Sequence, residues 1–156
     1  MDLILWRHAE AELPTPLLAD EDRRLTPKGI KQAAKMANWL DAHLPENCRI
    51  LVSPTTRTKE TVAALKRKFK IVDELSPGAT AESILATCNW PHHKKSVLIV
   101  GHQPSLGWVA SQLLFPGAQE CEIRKGTIWW IAQKNCDDRT TTNYLKIVMT
   151  PSLLHQ

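Results

Sequence analysis

Long apolar runs are missing from this 156-residue chain, and so is any Cys-x-x-Cys pair. No stretch reaches the ~18 residues of a membrane span. Asp2, Arg7 and His8 interrupt the N-terminus where a signal peptide would carry its apolar segment. A cytoplasmic protein with no membrane partner is expected. Cys48, Cys88, Cys121 and Cys136 lack zinc-site spacing and read as free thiols. Cys88, Trp90, His92 and His93 cluster around Pro91, but a structural zinc site wants four spaced ligands, so the cluster reads as a surface loop.

Several catalytic signatures are also absent. No cysteine is followed six positions later by arginine, and there is neither a Gly-x-x-x-x-Gly-Lys loop nor a Gly-x-Ser-x-Gly elbow. The one dense acidic run, Asp20-Glu21-Asp22, follows a proline-containing loop rather than a strand, which argues against an aspartate mechanism with bound metal. No metal and no cofactor are therefore expected.

What is there suits one domain over residues 1–156. The chain is 43% apolar, enough at this length to bury roughly two-thirds of its unfolded surface without disulfide or metal staples. Its net charge of +4 matches the local excess in residues 59–70, where five basic residues accompany Glu60. That segment carries no aromatic besides Phe69 and no nucleic-acid motif, so it reads as a solvated helix face and no nucleic-acid partner is expected.

Short apolar runs alternate with helical periods, the pattern of an α/β fold. Leu3 to Trp6, Ile50 to Val52 and Val97 to Val100 read as buried strands. Thr26-Pro27 starts a helix whose buried stripe is Ile30, Ala33, Ala37, Leu40 and Leu44. Ser53-Pro54 starts a second, with Val62, Leu65 and Phe69 inward. A third is expected from about Ala79 to Cys88. A fourth opens at Pro104, turns Leu106, Val109, Ala110, Leu113 and Leu114 inward, and stops at Pro116-Gly117. Thr127 to Ala132 and Tyr144 to Met149 read as late strands flanking a polar stretch, residues 133–142, either a hairpin with a long loop or two separate strands. Trp129 and Trp130 should face opposite sides of their strand.

Three of these strands end in polar groups: Arg7-His8, Ser53 to Arg57, and Gly101-His102-Gln103. In an open parallel sheet such ends converge on one ligand site. Two arginines and two histidines meet there without a carboxylate, which makes a site for an anion. Arginine forks match phosphate oxygens, a helix starting after Ser53 adds free N–H groups, and neutral imidazole is a competent nucleophile toward phosphorus. These residues point to phosphoryl transfer through a phosphohistidine intermediate.

The ordered set Leu5-Trp-Arg-His8, Leu25-Thr-Pro-Lys-Gly29, Val52-Ser-Pro-Thr-Thr-Arg57-Thr-x-Glu-Thr61 and Val100-Gly-His-Gln-Pro104 resembles the histidine phosphatase superfamily. The short chain, with no sizeable insertion before His102, looks most like the phosphohistidine phosphatases of the SixA type. The resemblance implies a phosphoglycerate-mutase-like three-layer sandwich with a mostly parallel central sheet. It implies His8 as nucleophile, Arg7 and Arg57 on phosphate oxygens, and His102 on the phosphoryl group. Arg23 matches a further pocket arginine, with Arg24 as the adjacent competitor. Larger members protonate an alcohol leaving group with a carboxylic acid, and Glu74 is the nearest candidate here.

The family usually has glycine after the histidine, whereas this chain has Ala9, so a backbone needing positive φ would be less comfortable. The expected substrate is a phosphorylated protein of the histidine-phosphotransfer kind. The alternatives are hydrolysis of a small phosphate ester and a phosphate-recognising binding module without turnover. Oligomeric state is not legible.

Overall fold

A computed structural model describes residues 1–117, 119–137 and 140–155, with Cys136 and Asp137 in backbone only, so the expected thiol of Cys136 lies outside the described side chains. Cys48, Cys88 and Cys121 are free. Six strands form one sheet: β1 (Leu3–Arg7), β2 (Arg49–Val52), β3 (Lys70–Ile71), β4 (Val97–Gly101), β5 (Ile128–Asp137) and β6 (Thr140–Met149), in the order β3-β2-β4-β1-β5-β6. The first four run parallel, and β5 and β6 add antiparallel at one side. The helices are α1 (Pro27–His43), α2 (Thr56–Ala63), α3 (Ala81–Cys88) and α4 (Ser105–Leu114). None is long and apolar enough to cross a membrane among the described residues.

Alternation along the strands divides the core between two faces. Leu3, Leu5, Val97 and Ile99 pack with Ile84 of α3 and Leu106, Val109 and Ala110 of α4. Ile4, Trp6, Leu98 and Val100 pack with Met36, Ala37 and Leu40 of α1 and Val62 of α2. The sandwich therefore has three layers around a mixed, mostly parallel sheet, as expected. Trp130 is buried on the α1 side, with its Nε1 donating to the Asp2 carboxylate at 2.8 Å, while Trp129 is half-buried against the other cluster.

Helix α1 begins as its sequence predicts, with the Thr26 hydroxyl accepting from Gly29 N and proline in the first turn. Its buried stripe is shifted, however. Met36 occupies the core where Ile30 was expected, and Ile30 is 55% exposed. Gly29 is required by close approach, because a Cβ there would lie 2.0 Å from the Glu10 carbonyl oxygen.

Helix α2 is shorter than its sequence pattern. It ends at Ala63, Lys66 takes a left-handed φ of 55°, and Phe69 is 40% exposed. Apart from Lys59, the basic residues of the segment thus lie outside the helix. Arg67 folds back instead, its guanidinium donating to Asp41 Oδ1 at 2.9 Å and to the Pro45 carbonyl at 2.9 Å, which ties the segment to the end of α1. The chain after it contributes β3, an edge strand of two residues too short to register as a hydrophobic run. At the other side, residues 133–137 and 140–142 of the polar stretch expected between the late strands belong to β5 and β6, which pair antiparallel as far as Asp137 and Thr140. Inter-strand hydrogen bonds, not burial, define the strands there, since most of β6 is exposed.

Candidate active site

Backbone pairing brings the three strand ends level. His8 N donates to the Gly101 carbonyl at 3.1 Å just past β1, and Ser53 N donates to the Val100 carbonyl at 3.1 Å just past β2. His102 follows β4, the strand between them. Gly126, at φ 74°, reaches the end of β1 with its N–H on the Arg7 and His8 carbonyls at 3.2 and 3.0 Å. The His8 and His102 rings are 5.4 Å apart between centroids and tilted by 55°. Both residues are buried.

The tautomer of His8 follows from its partner. Nδ1 lies 2.7 Å from the Ala9 carbonyl, which can only accept, so Nδ1 carries the proton and Nε2 keeps the lone pair. His102 Nε2 lies 2.7 Å from Ser53 Oγ. With the hydroxyl donating, the neutral His102 ring has Nδ1–H left as a donor.

Burial is the main reason the His8 pKa drops to about 4. The positive charges of Arg57, Arg7 and Arg23 push the same way, against the Ala9 carbonyl. His102 falls to about 3, chiefly through burial and then through His8 and Arg57. Both imidazoles are therefore neutral near pH 7.

Arg57, at the first turn of α2, is only 3% exposed. Its guanidinium donates to the Asp20 carbonyl at 2.6 Å and to Asp20 Oδ2 at 3.0 Å. Arg23 donates from Nε to Asp20 Oδ1 at 3.0 Å and from an Nη to the Glu12 carbonyl at 2.8 Å. One Nη of Arg7 donates to the Ile123 carbonyl at 2.9 Å. The Nε of Arg7 and the Nε of Arg57 are buried without a partner, which leaves hydrogen-bonding capacity for an anion.

Asp20, in a 3-10 turn over Asp20–Asp22, bridges the two arginines. Partial burial opposes ionisation of its carboxyl, but hydrogen bonds and charge from Arg57 and Arg23 outweigh it and hold the pKa below the usual value.

The structure thus gathers His8, Arg7, Arg57, Arg23 and His102 at one end of the sheet. Between the competing arginines it is Arg23 that shares Asp20 with Arg57, while Arg24 is exposed. Glu74 lies beyond the end of β3, exposed on a 3-10 turn, and makes no hydrogen bond or ion pair among the described residues. Two participants were not singled out from sequence: Ser53, as the partner of His102, and Asp20. Ser53 carried a signal, since it stands one residue past its strand as His8 and His102 do. Asp20 stood in the acidic run weighed for an aspartate mechanism, but nothing beyond its place three residues before Arg23 pointed to its pairing with the arginines.

Ala9 does not have positive φ; among the described residues the non-glycine positions that do are Lys66 and Asn89. The backbone strain anticipated for alanine at this position is absent. Cys88, the last residue of α3, and Trp90 are buried in the core, which corrects the surface-loop reading for these two residues, and among the described residues no group of three or more His, Cys, Asp and Glu could hold a metal ion.

Comparison with known proteins bears on the family and the fold. The family model for the histidine phosphatase superfamily (branch 1) matches residues 3–80. A phosphohistidine phosphatase SixA homolog of Haemophilus influenzae is 34% identical over 128 residues, covering 72% of this chain and 77% of the relative. A solved protein histidine phosphatase SixA, complexed with tungstate, superposes with a TM-score of 0.80 at 24% identity, covering 98% of this chain and 99% of that one. A solved alpha-ribazole phosphatase of Shigella flexneri shares the fold at a TM-score of 0.69 and 18% identity, covering 97% of each chain.

Proposed function

This chain belongs to the histidine phosphatase superfamily and is of the SixA type, and we propose that it removes phosphate from phosphohistidine on another protein through a phosphorylated His8. The observation that carries the choice of substrate is the state of Asp20, the carboxylate bonded into the arginine cluster. Held ionised by Arg57 and Arg23, it has no proton to give. An alkoxide leaving group needs such a proton. The imidazole of phosphohistidine, protonated on its other nitrogen, departs neutral and does not.

In this reading His8 Nε2 attacks phosphorus in line, the P–N bond of the substrate breaks, and its electron pair returns to the departing imidazole. Arg7, Arg23 and Arg57 take the phosphoryl oxygens and stabilise their charge in the transition state. Arg23 and Arg57 must exchange part of their hold on Asp20 for the phosphoryl group. His102, oriented by Ser53, donates to an oxygen from another side. Water then attacks phosphorus, releasing inorganic phosphate and free His8. No metal ion enters this scheme. The family relationship and the tungstate complex of the SixA neighbour support the reading. Tungstate is a tetrahedral oxyanion, like phosphate.

The test compares phosphate release from a phosphohistidine-bearing protein domain and from para-nitrophenyl phosphate, for the native chain and His8→Ala, with and without a chelator. Chelator-resistant turnover that favours the phosphoprotein and disappears with His8 is expected. Preference for the small ester would replace the reading with a general phosphomonoesterase. Phosphate binding without turnover would leave a binding module.

A further inference from the structure

An open groove of about 790 Å³ has Arg7 in its lining. Lys28, Lys31 and Lys35 line it from one face of α1, and Arg124 and Lys125 line it from the turn before β5. With Arg7 these make six cations against two carboxylates, Glu10 and Glu122. The Glu10 carboxylate already accepts from the Thr26 hydroxyl at 2.7 Å. Among the described residues none of Lys28, Lys31, Lys35, Arg124 and Lys125 takes part in an ion pair.

A second observation points to a ligand independently of this charge. Thr127 lines the groove and is 4% exposed, and its buried hydroxyl has no hydrogen-bond partner. Buried hydroxyls are normally paired, so an unpaired one at the wall of a cationic groove is a polar contact in want of an occupant.

We propose that this groove docks an acidic segment of the phosphoprotein substrate, a proposal that rests on the phosphohistidine reading. Three features favour a run of carboxylates over a single small anion. The lysines at 28, 31 and 35 extend along the helix for about 10 Å, longer than one phosphate can reach. Lysine offers compact, hydrated charges on flexible stems, suited to several exposed carboxylates, whereas the neighbouring pocket uses arginine forks. Arg7 belongs to both sites, so one macromolecule can place its phosphohistidine on His8 and its acidic flank in the groove at the same time.

The experiment uses the full chain and Lys28→Glu/Lys31→Glu. Both lysines are exposed in the first turns of α1, where acidic residues suit the helix dipole, so the variant should fold. Binding of a labelled hexaglutamate peptide is read by fluorescence anisotropy at low and at high salt, with inorganic triphosphate as competitor. Turnover is measured on a phosphohistidine protein domain and on para-nitrophenyl phosphate.

The expected result is salt-sensitive peptide binding that weakens about tenfold in the variant, with a KM for the phosphoprotein raised about tenfold and the small ester changed less than twofold. Peptide binding insensitive to the substitutions would overturn the proposal, as would equal losses on both substrates or triphosphate binding far tighter than the peptide. Phosphoprotein turnover without peptide binding removes the groove alone. Peptide binding without any phosphoprotein turnover removes the functional reading, and the docking role with it.

Discussion

The pocket and the groove share Arg7 and little else. In the pocket, cations are buried, as Arg57 is, or half-buried, as Arg7 and Arg23 are, and already engaged: Arg57 and Arg23 hold Asp20, and the positive field helps keep His8 neutral. In the groove, apart from Arg7, the cations face solvent and take part in no ion pair among the described residues. The two arrangements suit different tasks. Buried, oriented guanidiniums select a compact tetrahedral anion and act strongly on it because little water intervenes. Exposed lysines act through a screened field that attracts and aligns a large acidic surface and fades with salt. Chemistry and recognition are thus separable in this molecule, and substitutions should separate them.

The largest effect is expected at His8. His8→Ala removes the only atom that can carry the phosphoryl group in this scheme, and turnover on either substrate should fall on the order of 10⁴-fold or more. Hexaglutamate binding in the groove should stay within twofold. If peptide binding is lost as well, the two regions are one site and the comparison fails.

Arg57→Ala comes next. It deletes a guanidinium expected on the phosphoryl group and frees Asp20, and kcat/KM should drop by about 10²–10³. Arg57→Lys should recover little of this, because an ammonium cannot reproduce the fork that now spans the Asp20 carbonyl and carboxylate. Steady-state kinetics on para-nitrophenyl phosphate with both variants measures the difference.

A more moderate effect concerns pH. With His8 at about 4, the acid limb of kcat/KM for para-nitrophenyl phosphate should fall near pH 4 instead of near the ordinary histidine value of about 6.5. The same depression bears on stability. The native state prefers neutral imidazole, so its contribution is complete above about pH 6.5 and is lost as pH falls toward about 4, where the unfolded chain binds protons more readily. For His8 the difference is worth about 3 kcal/mol at most. NMR titration of the ring resonances and thermal melts from pH 7 to pH 4 check both statements. An ordinary His8 titration would mean that water reaches the ring, and the contrast between a dry pocket and a wet groove would go.

Much of this was legible from sequence where one local rule applied. Leu3 to Trp6 and Val97 to Val100 are apolar on both faces because each face is covered by a helical layer. Their polar ends marked the pocket because parallel strands deliver such ends to one place. The groove was not legible, since its lysines on α1 and its basic turn at 124–125 are about 90 residues apart in sequence. Net charge was misplaced for the same reason: residues 59–70 look cationic in a linear window, yet Arg67 is spent on Asp41. Asp20 was hidden because its role depends on a loop crossing to Arg57, 37 residues away.

The smallest effect should come from Ala9, which stands between His8 of the pocket and Glu10 of the groove wall. Its methyl is buried with Ala11, Leu25 and Ala33, away from solvent, and its φ is not positive. Its N–H donates to the Thr61 hydroxyl at 3.1 Å and its carbonyl accepts from His8 Nδ1 at 2.7 Å, bonds that glycine would keep. Ala9→Gly should therefore leave kcat/KM within about threefold and lower stability by about 1 kcal/mol, through lost methyl burial and a more flexible unfolded chain. Kinetics and a urea melt decide it. A gain in turnover of a hundredfold would mean that the methyl displaces the His8 backbone from its working position, and would favour a native chain that recognises phosphate without cleaving it. Unchanged turnover would place alanine here as packing against α1, compatible with catalysis one residue away.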